Sequence, residues 1–236
     1  MFGKREKGTP RALRAVNVIP MFVSTLAFAC VASAGPDWDL DLQQDAGSTL
    51  GGAQKITIPA QVQTIRGALT GLAFQGGGDF QDVYLFQITD PTVFSVDSTG
   101  ENGANFDICM WLFSYEGKPL LGNNDAFEGT TGARLGNASN DGPNVVITEP
   151  GLYYLAITGF ASQPTGFNGE LLFPQSVFQP GNVSGGLDGR FGGLWTGDGA
   201  TGSYALKTEG VAGIPAPGAI ALLGLAGLRA GRRRKA

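Results

Sequence analysis

Residues 35–212 consist of short apolar runs separated by turn-forming residues, and this pattern restricts the fold more than any other feature. The runs are rich in β-branched and aromatic residues, which favour strands, while Gly, Asn, Asp and Thr fill the intervals. No amphipathic helix of four turns occurs among them. These properties predict an all-β domain, folded as one antiparallel β-sandwich. The predicted strands are residues 55–58, 64–72, 83–89, 92–96, 106–113, 144–148, 152–158 and 203–207.

Five motifs within this region occur in a characteristic order. Asp82-Val83-Tyr84-Leu85-Phe86 has the form Asp-x-Tyr-x-Phe, residues 151–154 have the form Gly-x-Tyr-Tyr, and residues 202–204 have the form Gly-x-Tyr. Between them lie an aromatic strand at 106–113 and an Asn-Asp turn at 120–125. This order resembles the bacterial pre-peptidase C-terminal domain, a sandwich appended to secreted exoproteins. The resemblance implies a jelly-roll-like topology for about residues 55–208.

The charged residues are segregated along the chain. Five basic residues lie within the first 14 positions and five within the last eight, whereas residues 35–212 hold 6 basic and 19 acidic residues, a net charge of −13. A body of that charge repels nucleic acid and anionic lipid and attracts cations. The basic ends are typical of segments that direct a protein to its location.

Residues 1–34 have the organisation of a secretory signal peptide. A basic segment precedes the apolar stretch 16–32, which predicts a signal helix, and Ala32-Ser33-Ala34 supplies the small residues of a cleavage site. We expect export through the Sec translocon and cleavage by signal peptidase after Ala34. A transmembrane anchor is the alternative, but the stretch is short and interrupted. A lipoprotein at Cys30 is a second alternative, although Ala27 stands where that motif has leucine.

Residues 213–236 also combine an apolar run with a basic cluster, at the C-terminal end of the chain. Pro215, Ala216 and Pro217 precede the apolar run 218–228, a short hydrophobic helix, and Arg232, Arg233 and Arg234 lie in the terminal basic cluster. This arrangement resembles the PEP-CTERM sorting signals of bacteria, with Ala216 in place of the glutamate. The resemblance implies an exosortase-like sorting enzyme as a partner. It also implies transient retention at the inner membrane, followed by delivery to the cell envelope or surface.

A segment of about 40 residues, 161–202, departs from the domain pattern because it is dense in Gly, Pro, Asn and aromatic residues. Loops of this length are uncommon within compact domains. Its aromatic side chains need a place to be buried, which argues against simple disorder. We expect an ordered insertion packed over one edge of the sandwich, and the alternative is a surface that contacts a ligand.

Carboxylates are the abundant reactive groups of the body, and calcium is the cofactor that they favour. Asp79, Asp82, Asp107, Asn124 and Asp125 are predicted to meet in the sandwich loops, where carboxylate and amide oxygens suit calcium. The alternative is that these residues form ordinary turns through bonds to their own backbone. The alternation of acidic residues at 37, 39 and 41 resembles the start of a calcium loop but fails the EF-hand rule, so a solvated strand edge is the simpler interpretation.

The composition excludes most catalytic sites. The chain has no histidine, which removes serine–histidine and cysteine–histidine chemistry, and after signal cleavage only Cys109 remains, in an apolar setting typical of a buried inert thiol. No nucleophile elbow, Walker motif or dinucleotide-binding glycine motif occurs. A glycoside hydrolase needs two facing carboxylates, and no particular pair is specified. The sequence therefore predicts a non-enzymatic protein without catalytic residues.

Three functions follow from these observations. The first is a secreted structural protein of the cell surface or extracellular matrix, in contact with exopolysaccharide and not with nucleic acid. The second is a calcium-assisted carbohydrate-binding or adhesive module that uses the aromatic segment 161–202 on a rigid scaffold. The third is a glycoside hydrolase.

Overall fold

Strands make up nearly all of the regular structure in residues 46–58, 60–74 and 77–214, the part of the chain that the computed structural model describes. Within it the helices are two short 3-10 turns, Leu50–Gly52 and Gln175–Phe178. The predicted all-β fold is confirmed. The predicted signal peptide, sorting tail and their helices lie outside the described residues. Among those described, no helix has the length and apolar character needed to span a membrane.

The larger sheet has seven strands and forms the middle layer of the described body. Its strands run in the order β1-β5-β10-β7-β8-β12, and β15 pairs with the edge of β5 that also holds β1. All pairs are antiparallel except β1 with β5. The bounds are β1 Gln54–Lys55, β5 Gln81–Ile88, β7 Ile108–Ser114, β8 Pro119–Asn123, β10 Gly151–Gly159, β12 Ser184–Gly185 and β15 Val211–Ala212.

The smaller sheet has four antiparallel strands in the order β2-β14-β6-β9. Two further sheets have two strands each, β3 with β4 and β11 with β13. The bounds are β2 Thr64–Leu69, β3 Ala73–Phe74, β4 Gly77–Gly78, β6 Ser95–Asp97, β9 Arg134–Leu135, β11 Pro164–Gly166, β13 Phe191–Trp195 and β14 Gly202–Glu209.

The main hydrophobic core lies between the two larger sheets. Alternate residues of β5, β7 and β10 pack against alternate residues of β2, β6 and β14, as expected for the inner faces of a sandwich. Burial of these side chains supplies most of the driving force for folding. The strand residues of this core are Ile65, Leu69, Tyr84, Phe86, Ile88, Val96, Ile108, Met110, Leu112, Leu155, Ile157, Tyr204 and Leu206.

A second core lies on the other face of the seven-stranded sheet. Val83, Cys109, Trp111, Phe113 and Ala156 project from that face, and the 161–202 segment covers them. The segment contributes Leu172, Phe173, Val177 and Phe191. The prediction that it packs over an edge is therefore incomplete: its strand β12 does pair at the β8 edge, but its aromatic residues cover a face. The described body has three layers.

Most predicted strands are present, and their differences have local causes. The predicted strand at 92–96 is shifted to Ser95–Asp97, and the one at 64–72 ends at Leu69. The predicted strand at 144–148 is wrong, because this segment forms only a single bridge between Ala138 and Val146. It pairs with residues 137–139 of its own loop, and Val146 is 50% exposed.

Candidate functional site

Asp82 lies in the core between the sheets and is bonded there to tyrosine. The Tyr204 hydroxyl on β14 donates to Asp82 Oδ2 on β5, and the hydroxyls of Tyr84 and Tyr204 lie 2.6 Å apart. All three side chains are buried. The cluster joins the two sheets through polar contacts, so Asp82 has a structural role in the core and does not face a loop.

The geometry of this cluster depends on Gly67 of β2. A Cβ atom at Gly67 would lie 2.3 Å from the Tyr204 hydroxyl and 2.7 Å from that of Tyr84, so only glycine leaves room for both rings. Burial, and next the charge of Asp82, raise the pKa of Tyr204 well above its ordinary value. Tyr204 therefore stays protonated and remains a donor to Asp82 throughout the neutral range.

Asp79 occupies a different position, directly after β4 and two residues before β5. Its Oδ2 accepts bonds of 2.7 Å from both the backbone amide and the hydroxyl of Thr70. The side chain is 9% exposed, and its Oδ1 has no hydrogen-bond partner among the described residues. Asp79 thus ties the residue before β5 to Thr70, nine positions earlier, and does not form the bond to its own backbone that the turn interpretation expects.

Asp107, Asn124 and Asp125 do come together, at the end of β7 and β8. The Cys109 thiol donates to Asn124 Oδ1 over 3.0 Å, and Asp107 Oδ1 is buried without a hydrogen-bond partner in the described part. Burial, followed by the charge of Asp125, raises the pKa of Asp107, and burial raises that of Asp125. These two carboxylates destabilise each other when both are ionised.

The structure thus distributes the five predicted calcium residues over three places, and the calcium prediction narrows to Asp107, Asn124 and Asp125. Calcium takes six to eight oxygen ligands. The carbonyl oxygens of Asp107 and Asp125 already accept backbone amides, and the Asn124 carbonyl accepts the Cys109 thiol. Within the described residues no three Asp, Glu, Cys or His side chains are grouped as for a metal ion. Two carboxylates do not make a calcium cage without further ligands.

Asp107→Asn is expected to stabilise the protein at neutral pH by about 0.5 kcal/mol, a value reduced for the partial exposure of the carboxylate. A raised carboxyl pKa means that stability decreases as pH rises from the ordinary value of 3.8 through the folded-state pKa. The gain should therefore vanish at about pH 3.5. Thermal unfolding at both pH values, without calcium, measures the effect, and the exposed Asp188→Asn serves as control. A lower melting temperature for Asp107→Asn at neutral pH would contradict the prediction.

The same variant tests calcium. If the three residues bind it, millimolar calcium raises the melting temperature of the wild-type protein more than that of Asp107→Asn. Equal responses would remove the calcium interpretation of this place.

A groove of about 500 Å³ lies on the outer face of the smaller sheet. Its floor is formed by outward positions of the paired strands β2 and β14, where Arg66 is opposite Ala205 and Thr64 is opposite Lys207. Ser203 continues the β14 row, and a smaller extension of about 100 Å³ reaches Lys207 and Asp97. Alternation along two strands thus places two cations side by side on one surface.

The wall of the groove is the loop 98–105, which is fixed against β14. The amide of Ala205 donates to the Gly103 carbonyl over 3.1 Å, and Asn105 exchanges two bonds with Ser203. Asn102 adopts a left-handed conformation with φ of 63°. A Cβ at Gly103 would lie 1.9 Å from the Ser98 carbonyl oxygen, so this close approach requires glycine. The loop is therefore held in a fixed conformation that places Asn102 and Asn105 at the groove.

The charges of the groove are unusual for this acidic protein. In the described residues the one ion pair joins Arg134 of β9 to Asp97 over 2.6 Å, which leaves Arg66 and Lys207 without an ionic partner there. Burial tends to raise the pKa of Asp97, but bonds from Thr99 and Arg134 outweigh it and hold that pKa below its ordinary value. The Asp97 carboxylate is thus ion-paired with Arg134. Glu101 lies exposed at the rim of the groove.

Aromatic side chains of the 161–202 segment are mainly used for packing. Phe173 and Phe191 are buried, and the Trp195 indole donates to the Ser48 carbonyl over 3.0 Å, whereas Phe167 is 72% exposed. An aromatic pair lies elsewhere on the surface: the rings of Tyr115 and Tyr154 are parallel within 2°, with centroids 5.8 Å apart. Tyr115 is 52% exposed.

Sequence reasoning missed the groove because its residues look unremarkable in one dimension. Arg66 and Lys207 are two of only six basic residues in the body, and each falls within a predicted strand. The signal that would have found them is this scarcity, combined with knowledge that β2 pairs with β14. Neither the protein-family models nor the curated proteins compared with the chain match it.

Proposed function

We propose that this chain is a secreted, non-catalytic β-sandwich protein of the bacterial cell envelope or extracellular matrix, routed by an exosortase-type system. The observation that carries the proposal is the segregation of charge, with basic residues at both ends and an acidic body between them. The body is the part to be delivered. Resemblance to a pre-peptidase C-terminal domain with a PEP-CTERM-like tail agrees with this order.

A non-catalytic role is supported by what the reactive groups do in the described residues. Cys109 is buried, and burial raises the pKa of its thiol well above the ordinary value, which disfavours a thiolate nucleophile. Asp82 accepts a bond from Tyr204, whose hydroxyl also contacts that of Tyr84 within the core. The groove on the smaller sheet brings together Arg66 and Lys207. Of the two carboxylates at its end, Asp97 is ion-paired with Arg134, which does not suit the free facing pair that a glycosidase needs.

Intact mass and cell fractionation of the native protein test this proposal. We expect surface-released protein to begin at residue 35 and to end near residue 214, since both ends are address segments. Full-length protein that retains residues 1–34 and 215–236 in the cytoplasm would contradict the proposal. A variant in which Arg232, Arg233 and Arg234 are all replaced by glutamine should be missorted, while the distant Arg190→Gln should not.

The groove favours a second candidate function, a carbohydrate-binding or adhesive module. Polysaccharides are bound by amide, hydroxyl and charged groups on rigid surfaces, and the groove presents Asn102, Asn105 and Ser203 beside Arg66. The loop that holds these groups is fixed to β14 by backbone bonds, so the site is preorganised.

A further inference from the structure

We propose that the groove formed by β2, β14 and the loop 98–105 binds a carboxylate-bearing polysaccharide, a polyuronate. This inference rests on the proposed function in its carbohydrate-binding form, because it names the class of ligand that a delivered surface protein would contact. It assigns roles to residues outside the tyrosine cluster and outside the Asp107–Asp125 pair.

The first argument is the position of the cations. Arg66 and Lys207 are diagonal neighbours on the outer face, and neither forms an ion pair with a described residue. Arg134 lies two strands beyond Lys207, so three of the six basic residues of the body share this face. In a body with net charge −13, such a concentration of basic residues favours an anion at this face. The planar guanidinium of Arg66 suits a carboxylate in particular.

The second argument is the mixture of groups. Asn102, Asn105 and Ser203 offer amide and hydroxyl groups that match sugar hydroxyls. The groove is partly open to solvent, so a polymer chain can lie across it. A polyuronate combines carboxylates with hydroxyls on each sugar, which corresponds to this mixture.

The third argument excludes dense polyanions. Asp97 and Glu101 lie beside Lys207 at one end of the groove, so a ligand that carries closely spaced charges is repelled there. Nucleic acid carries a charge about every 1.7 Å of helix axis and depends on several phosphate contacts. Two unpaired cations next to two carboxylates do not provide them. One carboxylate per sugar, held between hydroxyls, is compatible with the groove.

The test is affinity electrophoresis of the purified full-length protein against polygalacturonate, in EDTA so that calcium bridging plays no part. Methyl-esterified polygalacturonate is the matched probe, because it keeps the sugar backbone and loses the charge. We expect retention by the acid form and about tenfold weaker retention by the ester. We also expect binding to weaken as salt is raised. Double-stranded DNA, the competing class of polyanion, should not retard the protein.

Substitutions locate the binding. Arg66→Gln and Lys207→Gln should each weaken retention about 5- to 10-fold, as expected for one charge-assisted contact. Arg190→Gln and Lys118→Gln remove the same charges from exposed positions outside the groove. Each should change the retention by less than about twofold. All four sites are exposed, so unchanged melting temperatures verify that the variants fold.

Several outcomes would overturn the proposal. They are absence of retention by polygalacturonate, equal retention by the ester, equal losses in the groove and control variants, or equal retardation by DNA. If Tyr115→Ala lost retention and Arg66→Gln kept it, the polysaccharide would bind at the aromatic pair, and the proposal for the groove would also be refuted. Failure of sorting is seen in fractionation alone, and failure of binding in electrophoresis alone, so the two proposals fail separately.

Discussion

Replacing Trp111 with alanine is expected to lower the free energy of unfolding by about 4 kcal/mol and the melting temperature by roughly 10 °C. Trp111 is fully buried at the centre of the second core. Its ring centroid lies 5.0 Å from that of Phe173 and 6.3 Å from that of Phe178, and both partners belong to the 161–202 segment. The indole also donates to the Thr158 hydroxyl over 2.9 Å. Alanine would leave a large cavity between the sheet and its cover.

The expected loss has a local component that a melting curve alone does not show. The 161–202 segment is held over the sheet by a few large side chains, so loss of Trp111 should make that segment the first to open. Limited proteolysis should then cleave it earlier than the rest of the described body. Trp111→Phe keeps much of the ring volume and should lose only about 1–2 kcal/mol.

Phe167→Ala provides the matched control, since Phe167 belongs to the same segment but is 72% exposed. It should change stability by less than about 0.5 kcal/mol. If Trp111→Ala melted like the wild-type protein, or if Phe167→Ala lost as much stability, the second core would not contribute as the structure indicates.

Tyr204→Phe is the other substitution with a large expected effect, about 3 kcal/mol of destabilisation at neutral pH. The variant keeps the ring but removes the donor to Asp82, whose carboxylate is fully buried between the sheets. It also removes the partner of the Tyr84 hydroxyl. The cost arises from polar groups that stay buried after one of their partners has gone.

The decrease in stability at alkaline pH gives an independent test of the bond between Tyr204 and Asp82. The pKa of Tyr204 is raised in the folded state, so above its ordinary value of 10.0 only the unfolded chain ionises this group. Wild-type stability should therefore fall as pH rises past about 10, and part of that fall should be absent in Tyr204→Phe. Chemical denaturation from about pH 7 to about pH 11 measures both effects.

Tyr153→Phe is a suitable control because it removes a hydroxyl that donates to the Glu149 carbonyl in an exposed setting. We expect a loss of about 0.5 kcal/mol there. Comparable losses at Tyr153 and Tyr204 would show that the buried cluster adds nothing beyond an ordinary surface bond.

The all-β fold could be predicted from the sequence because strand signals are local. β-branched and aromatic runs bounded by turn residues marked β5, β7 and β10 to within two residues at either end. Short strands such as β9 and β12 could not be predicted, since they consist of two residues whose pairing depends on partners far along the chain. The segment 144–148 has strand-forming residues but finds no sheet edge to join.

The second core could be read only in part. In the strand at 83–88, both alternating sets are largely apolar, Val83 and Leu85 on one side and Tyr84 and Phe86 on the other. Such a run indicates a strand buried on both faces, and both faces are indeed covered. The sequence does not say which segment covers the second face, because the glycine-rich stretch 161–202 has no regular period.

The candidate sites show the same limit more sharply. The sequence groups Asp82, which precedes one predicted strand, with Asp107 at the head of another. Alternation places their side chains in different environments: Asp82 enters the core between the sheets, and Asp107 lies at the margin of the body. The groove depends on the pairing of β2 with β14, which are separated by more than 130 positions of sequence. Both outcomes depend on the register between strands that are distant in sequence, and this register cannot be predicted from a single sequence.

The three-layer arrangement determines where a foreign peptide can be displayed on this protein. A long Gly- and Pro-rich segment would ordinarily be the first choice for an insertion, but here 161–202 is the cover of a core and has to be left whole. The turn at Phe127–Thr130 is better suited, because the Thr130 amide closes it on the Phe127 carbonyl and both Phe127 and Glu128 are exposed. Gly129 has a φ of 81° and has to be kept. For epitope display, the short turn at 127–130 is the permissive position, whereas the long segment 161–202 is part of the structural framework.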